Sequence, residues 1–156
     1  MDEISLVTVK PQQVVGIKKT GTYAMIPELL MQLWGHIEKN RITCAGAPGF
    51  VCHEVSPEAA KEANSKGTAV IEVAWPVAGP ASGSGEIRVY ELPGGKMVRT
   101  VHHGPYETCE PTYQKLFAWI GEHNLHISGP VREFYSNDPC EVKPEEILTE
   151  IFVPVS

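Results

Sequence analysis

Gly21-Thr22-Tyr23, leading into Leu33-Trp34 and Ile37, returns 83 residues later as Gly104-Pro105-Tyr106, Leu116-Phe117 and Ile120. The same interval carries Gly46 onto Gly129. Past two polar excursions of unequal length, Ser56 to Lys66 and Ser136 to Pro144, the interval falls to 78: Glu72 meets Glu150, Val73 meets Ile151, Pro76 meets Pro154 and Val77 meets Val155. A sustained period of this kind marks an internal duplication. The expected fold is α+β, one domain over 1–156, with strand-helix-strand-strand pseudo-repeats at about 5–78 and 86–156 and a linker at 79–85. Two such units are expected to lay their two main helices on an antiparallel sheet to bury the apolar faces. The place where they meet is the natural ligand groove, since pockets favour domain-like interfaces.

The elements follow from local patterning. Val14-Val15-Gly16-Ile17-Lys18 reads as a strand, and Ile26, Leu29, Leu30, Leu33, Trp34 and Ile37 form one apolar helical face, with Pro27 tolerable in the first turn. Phe50 to Val55 and Thr68 to Val77 read as strands, and the excursion between them allows one helical turn. Gly79 to Gly85 is a flexible linker by composition. Ile87 to Leu92 and Lys96 to His103 flank Pro93-Gly94-Gly95, which predicts a hairpin. A second helix follows, with Thr108 as N-cap, Pro111 early, and Tyr113, Leu116, Phe117 and Ile120 on one face. Strands from Val131 to Tyr135 and from Ile147 to Val155 close the chain.

The 156 residues suffice for a real core, and 42% hydrophobic with 21% charged residues fits a folded protein rather than a disordered one. No apolar run approaches the roughly 20 residues that span a bilayer, and the acidic start Met1-Asp2-Glu3 lacks the features of a signal peptide, so the cytoplasm is the expected compartment. A formal charge of −6 disfavours nonspecific nucleic-acid binding. Cys44, Cys52, Cys109 and Cys140 form no Cys-x-x-Cys pair and read as reduced thiols. The six histidines give no metal site, since His102 and His103 face opposite sides of a strand and His123 and His126 have no third ligand at a recognisable spacing. Neither a Gly-x-Ser-x-Gly nucleophile turn nor a glycine-rich phosphate loop is present.

Glu133 is the residue of chemical interest. In a strand Val131, Glu133 and Tyr135 point one way and Arg132 and Phe134 the other, so a carboxylate sits between an aliphatic and an aromatic neighbour. Buried, it has no cheap local partner, which points to function; exposed, it is an ordinary strand carboxylate. Its pseudo-mate is Phe50, an aromatic ring, whereas Glu72 and Glu150 are mates of each other and read as scaffold or solvent-face features. The asymmetric Glu133 is therefore the preferred functional acid.

His103-Gly104-Pro105-Tyr106, the helix Tyr113-x-x-Leu116-Phe117-x-Trp119-Ile120, Gly129-Pro130 with Glu133-x-Tyr135, Asp138-Pro139 and the ending Thr149-Glu150-Ile151-x-Val153-Pro154 together resemble the GyrI-like small-molecule-binding domains. These are also the effector-binding domains of multidrug-responsive regulators of the BmrR and Rob type. The resemblance is most specific from about residue 87 to 155. It implies a central groove that holds hydrophobic, often cationic compounds between aromatic walls around an acidic residue, which Glu133 matches, with Tyr135 beside it. Phe50 joins by pseudo-symmetry, and Trp75, Trp34 and Tyr113 complete the inferred wall; for Trp34, Phe117 and Tyr113, core packing is the competing role. Unlike the regulators, the chain shows no DNA-binding helices at its ends and is expected to act as a free-standing receptor.

Lipophilic cations are thus the expected partners, without cofactor, metal, direct nucleic acid or membrane; a homodimer or a separate regulator protein is left open. A carboxylate among ring faces suits such a cation because attraction strengthens as the dielectric falls and each ring adds roughly 0.5 to 2 kcal/mol. Two alternatives come from the resemblance: a hydrolase opening strained cyclopropane rings of genotoxic natural products, with Glu133 as general acid or base, and a protein-interaction module that inhibits DNA gyrase. Binding is favoured over catalysis, and no catalytic residue is assigned.

Overall fold

Alternating apolar positions in the strands and a 3.6-residue stripe in the helices generate, in chain order, β1 (Ser5–Val9), β2 (Gln12–Gly21), α1 (Ile26–Lys39), β3 (Thr43–Cys44), β4 (Gly49–Cys52), α2 (Pro57–Lys66), β5 (Ala69–Ala78), β6 (Arg88–Leu92), β7 (Gly95–His103), α3 (Glu110–Glu122), β8 (Val131–Tyr135) and β9 (Leu148–Pro154). The structure, a computed structural model, describes residues 4–54, 57–105, 108–137 and 142–156. Val55, Tyr106, Asp138, Pro139 and Cys140 lie outside the described residues, as does the acidic start Met1-Asp2-Glu3. The class is α+β with antiparallel strand pairing throughout the ladders described below.

Residues 11–93 form one compact unit. Its ladders run β4-β5-β2-β6, with β3 added to β5. Val14, Val15 and Ile17 of β2 are all buried, as expected of a strand covered on both faces. Helix α1 lies on the face of β5 that carries Ile71, Val73, Trp75 and Val77, shown by the stack of Trp34 on Trp75. Its buried stripe is Leu29, Leu33, His36 and Ile37, narrower than the sequence predicts, because Trp34 stays 44% exposed. Pro27 falls in the first turn, where its missing N–H costs nothing.

Residues 1–10 and 94–156 form the second unit. Its ladders run β1-β7-β9-β8, so the first strand of the chain pairs with β7, far along the sequence. Under α3, Val98, Leu116, Ile120, Ile151, Val153 and Val155 make the core, with Tyr113, Phe117, Trp119 and Val131 packed against it.

The duplication extends to individual hydrogen bonds. Ala45 N–H donates to the Pro76 carbonyl and Ser128 N–H to that of Pro154, both at 2.8 Å. A Cβ on Gly46 would meet Pro76 at 3.4 Å, and one on Gly129 would meet Pro154 at 3.3 Å, so both glycines let a loop lie against a proline ring. Both main helices end alike. Arg41 (φ 53°) and Asn124 (φ 56°) take the left-handed conformation, and the next residues, Ile42 and Leu125, donate back to the carbonyls of Ile37 and Ile120. This is a Schellman ending built twice without glycine.

Three sequence expectations are corrected. The excursion after β4 is not one turn but the helix α2, formed by good helix formers with Glu58 in the first turn and Lys66 in the last. The Pro93-Gly94-Gly95 hairpin does not form: β6 pairs with β2, while β7 pairs with β1 and β9. Cys109, not Thr108, is the N-cap residue of α3; the Thr108 hydroxyl turns back to the Pro105 carbonyl. Along the linker 79–85, Gln13 donates to the Gly79 carbonyl and the His36 ring to that of Ser82, and Ser84 bridges to Ile87.

Candidate functional site

The pleat of β8 sets the direction of Glu133. It stands opposite Ile151 on β9, a core residue beneath α3, so Val131, Glu133 and Tyr135 face α3 while Arg132 and Phe134 face away. From the first turns of α3 the Tyr113 hydroxyl donates to Glu133 Oε2, and the Tyr135 hydroxyl lies 3.5 Å from Oε1. The Tyr113 ring leans on Phe117, with centroids 5.9 Å apart. Burial of the carboxyl group pushes the Glu133 pKa above its ordinary value, opposed by the hydrogen bonds from Tyr113 and Tyr135 and by the nearby His102. Its hydrogen-bond donors are thus hydroxyls rather than a cation.

Beside its apolar core this face carries three buried polar residues. One row across the strands runs Glu133, Ile151, Thr100, and the next runs Tyr135, Thr149, His102. Thr100, Thr149 and His102 are all buried. His102 is saturated: Nε2 is 2.9 Å from the Pro105 carbonyl, which only accepts, so Nε2 carries the proton and Nδ1 can accept from the Thr112 hydroxyl at 2.7 Å. The Thr100 and Thr149 hydroxyls, by contrast, make no hydrogen bond among the described residues.

Within residues 11–93, Phe50 on β4 stands opposite Val73 and meets the edge of the Tyr23 ring at 5.7 Å. The Tyr23 hydroxyl donates to Glu54 at 2.5 Å, and desolvation together with this carboxylate raises the Tyr23 pKa. Glu54 also accepts from Val70 N–H, and its mate Asn137 accepts from Leu148 N–H, another repeated contact. Trp34 and Trp75 stack with centroids 5.2 Å apart. The six residues expected at the site therefore fall into a carboxylate group (Glu133, Tyr113, Tyr135), a tryptophan pair (Trp34, Trp75) and Phe50 beside Tyr23.

Of the two roles the sequence left open for Glu72, scaffold or solvent face, the structure shows the buried one. Glu72 is buried, its two oxygens 2.6 Å from His53 Nε2 and 2.7 Å from the Tyr90 hydroxyl, on the face of β5 away from α1. Gly16 makes this geometry possible, since a Cβ there would lie 2.2 Å from the Tyr90 oxygen. Glu150 instead takes two hydrogen bonds from Arg99 and is about one-third exposed. The sequence shows the two glutamates as equals because their partners come from other strands. The polar floor of Thr100, Thr149 and His102 was likewise missed; its one signal is the run of threonine and histidine at alternate positions of β7.

Fold and site together make this a duplicated α+β domain with a tyrosine-bonded carboxylate under α3. The chain belongs to the GyrI-like small molecule binding domain family, whose model matches residues 2–156. Among solved structures, the EcmrR C-terminal domain is similar with a TM-score of 0.86 at 17% identity, over 100% of this chain and 98% of that one. Of the EcmrR chain in an EcmrR–DNA complex the chain spans only 57%, covering 99% of its own length at 17% identity with a TM-score of 0.84. A hydrolase from Listeria innocua gives 0.71 at 13% identity over 99% and 92% of the two chains. SAV2435 bound to tetraphenylphosphonium gives 0.58 at 16% identity over 99% and 94%. At these identities the likeness establishes the fold. No curated protein matches the sequence. Among the described residues no helix is long and apolar enough to cross a membrane.

Proposed function

We propose that this domain binds small hydrophobic cations and that Glu133 is their charge partner. One observation carries the reading: a carboxyl group whose pKa is raised by burial, held by phenol hydroxyls and flanked by the Tyr113–Phe117 ring pair. A desolvated acid of this kind gains most from an arriving positive charge. The tetraphenylphosphonium on SAV2435 is a lipophilic cation on the same fold, which supports the choice of ligand class. Phe50, Trp34 and Trp75 stay part of the proposal as further ligand contacts, and the cytoplasm as its setting.

The test is a tryptophan-fluorescence titration of wild type and Glu133→Gln with a panel of lipophilic cations and matched neutral analogues. Wild type is expected to favour each cation over its analogue, and the variant to lose that margin by about tenfold or more, the worth of a charge-assisted contact. Equal binding of cation and analogue by wild type sinks the reading. Trp34→Phe and Trp75→Phe in the same titration test the wall. A second reading rests on the raised pKa itself, which suits a general acid or base, and on the Listeria innocua hydrolase with this fold. In that case strained cyclopropane substrates are consumed by wild type and left intact by Glu133→Gln.

A further inference from the structure

We infer that the Glu133 site discriminates among cations, taking those that carry N–H groups, such as protonated amines, in preference to permanently quaternary ones. This deepens the reading of Glu133 as a charge partner and rests on it.

The argument starts from the hydroxyls left over. Thr100 and Thr149 are 0% exposed, and neither hydroxyl finds a partner among the described residues. Buried polar groups in folded proteins are nearly always hydrogen-bonded, because an unmade bond forfeits the hydration the group had in water. Both stand on the α3-facing side of the sheet with Glu133. Thr149 is opposite Tyr135, two residues on from Glu133, and Thr100 is opposite Ile151, which is itself opposite Glu133. On adjacent strands diagonal neighbours lie roughly 7 to 8 Å apart, which puts Thr149 beside Glu133, while Thr100 lies one strand further on, with β9 between. Thr149 therefore adjoins Glu133 on the β9 side, and Thr100 stands beyond it on β7.

A carboxylate alone selects charge. Adjoining hydroxyl oxygens select the form in which the charge is presented. An ammonium group offers two or three donors: one meets Glu133, and the others meet lone pairs on Thr149 and Thr100. A tetraalkyl cation offers none; it satisfies the charge and leaves both hydroxyls unmet while its alkyl groups cover them. A site built to hydrogen-bond a ligand rejects the analogue that lacks the bond far more strongly than an apolar pocket rejects a change in size. The saturated His102 does not compete, since Pro105 and Thr112 already occupy its ring nitrogens.

The experiment uses the full chain and three probes sharing one ring system, followed by isothermal titration calorimetry at neutral pH: naphthylmethylamine, its N,N,N-trimethylammonium derivative, and neutral naphthylmethanol. Wild type is expected to bind the amine about tenfold or more tightly than the trimethyl compound, the value of one or two hydrogen bonds from a charged donor. Added methyl groups on their own favour the trimethyl compound, so the order cannot come from hydrophobicity. In the Thr100→Val, Thr149→Val double variant the amine is expected to lose that margin while the trimethyl compound keeps its affinity. The variant should melt no lower than wild type, because it deletes hydroxyls that had no partner. Equal or tighter binding of the trimethyl compound by wild type overturns the inference but leaves the charge-partner reading standing, as does an amine margin that survives in the double variant. Naphthylmethanol binding as tightly as both cations, or no binding by any probe, overturns both.

Discussion

A carboxylic acid whose pKa folding has raised ties stability to pH in a fixed direction. Between the ordinary Glu value and the raised value of Glu133, the folded chain holds a proton that the unfolded chain has released. Stability falls wherever the folded state binds more protons and pH increases. The contribution of Glu133 is therefore present in acid and lost as pH rises through its folded value. In Glu133→Gln this descending limb should vanish from urea-melt midpoints taken across the acid range; a wild-type limb that persists in the variant assigns it to another group. Ligand affinity runs the opposite way and grows as the acid ionises. Of this, the sequence conveyed that Glu133 was asymmetric between the repeats and which neighbours shared its face. It could not convey the partner, because Tyr113 comes from α3, 20 residues away, and its reach depends on helix placement. For the same reason the sequence left open whether Glu72 was scaffold or solvent face: its environment is made by His53 and Tyr90 from other parts of the unit.

At the level of elements, the twin helix endings set a cost. Arg41 holds a left-handed φ that side chains with a Cβ adopt reluctantly. Arg41→Gly is expected to stabilise the fold by about 0.5 to 1 kcal/mol, the strain relieved less the added freedom of glycine in the unfolded chain, measurable by chemical denaturation. A destabilised variant would mean that the arginine side chain contributes more than its backbone loses. Helix α2 shows where periodicity fails as a guide. Its sequence PEAAKEANSK has no broad apolar stripe, but it opens on Pro57, carries Glu58 early and Lys66 late, and is followed by Gly67 at φ 69°. Those end signals were legible, and the apolar pattern outweighed them. The missing hairpin teaches the converse: Pro93-Gly94-Gly95 has turn chemistry, but pairing is decided by the ladders β6 finds on β2 and β7 on β1 and β9.

For the whole molecule, the repeat read from glycines, aromatic positions and prolines anticipated the α+β class and the order of the main helices and strands, though not β1, β3 or α2, because duplicated backbones need the same special residues at the same turns. It could not anticipate where one unit stops. The sequence repeat ends at its polar linker, residues 79–85, whereas the compact units divide at Pro93 and Gly94, and the strand before Pro11 belongs with the later half. A chain starting at Gly94 therefore lacks β1 and bares the outer edge of β7, an invitation to intermolecular pairing. Fragment 94–156 is expected to aggregate, and the same fragment followed by a short Gly-Ser tether and residues 1–10 should aggregate less in size-exclusion chromatography. A monomeric bare fragment would show that β1 is dispensable.

The same strand carries a consequence for synthesis. Ser5–Val9 is made well before its partner on β7, which begins at Gly95. At roughly 5 to 20 residues per second, the strand waits several seconds with its hydrogen-bonding edge unmatched. Strand β1 is thus synthesised long before it can be paired, and the order of translation leaves its edge open to chaperones over that interval.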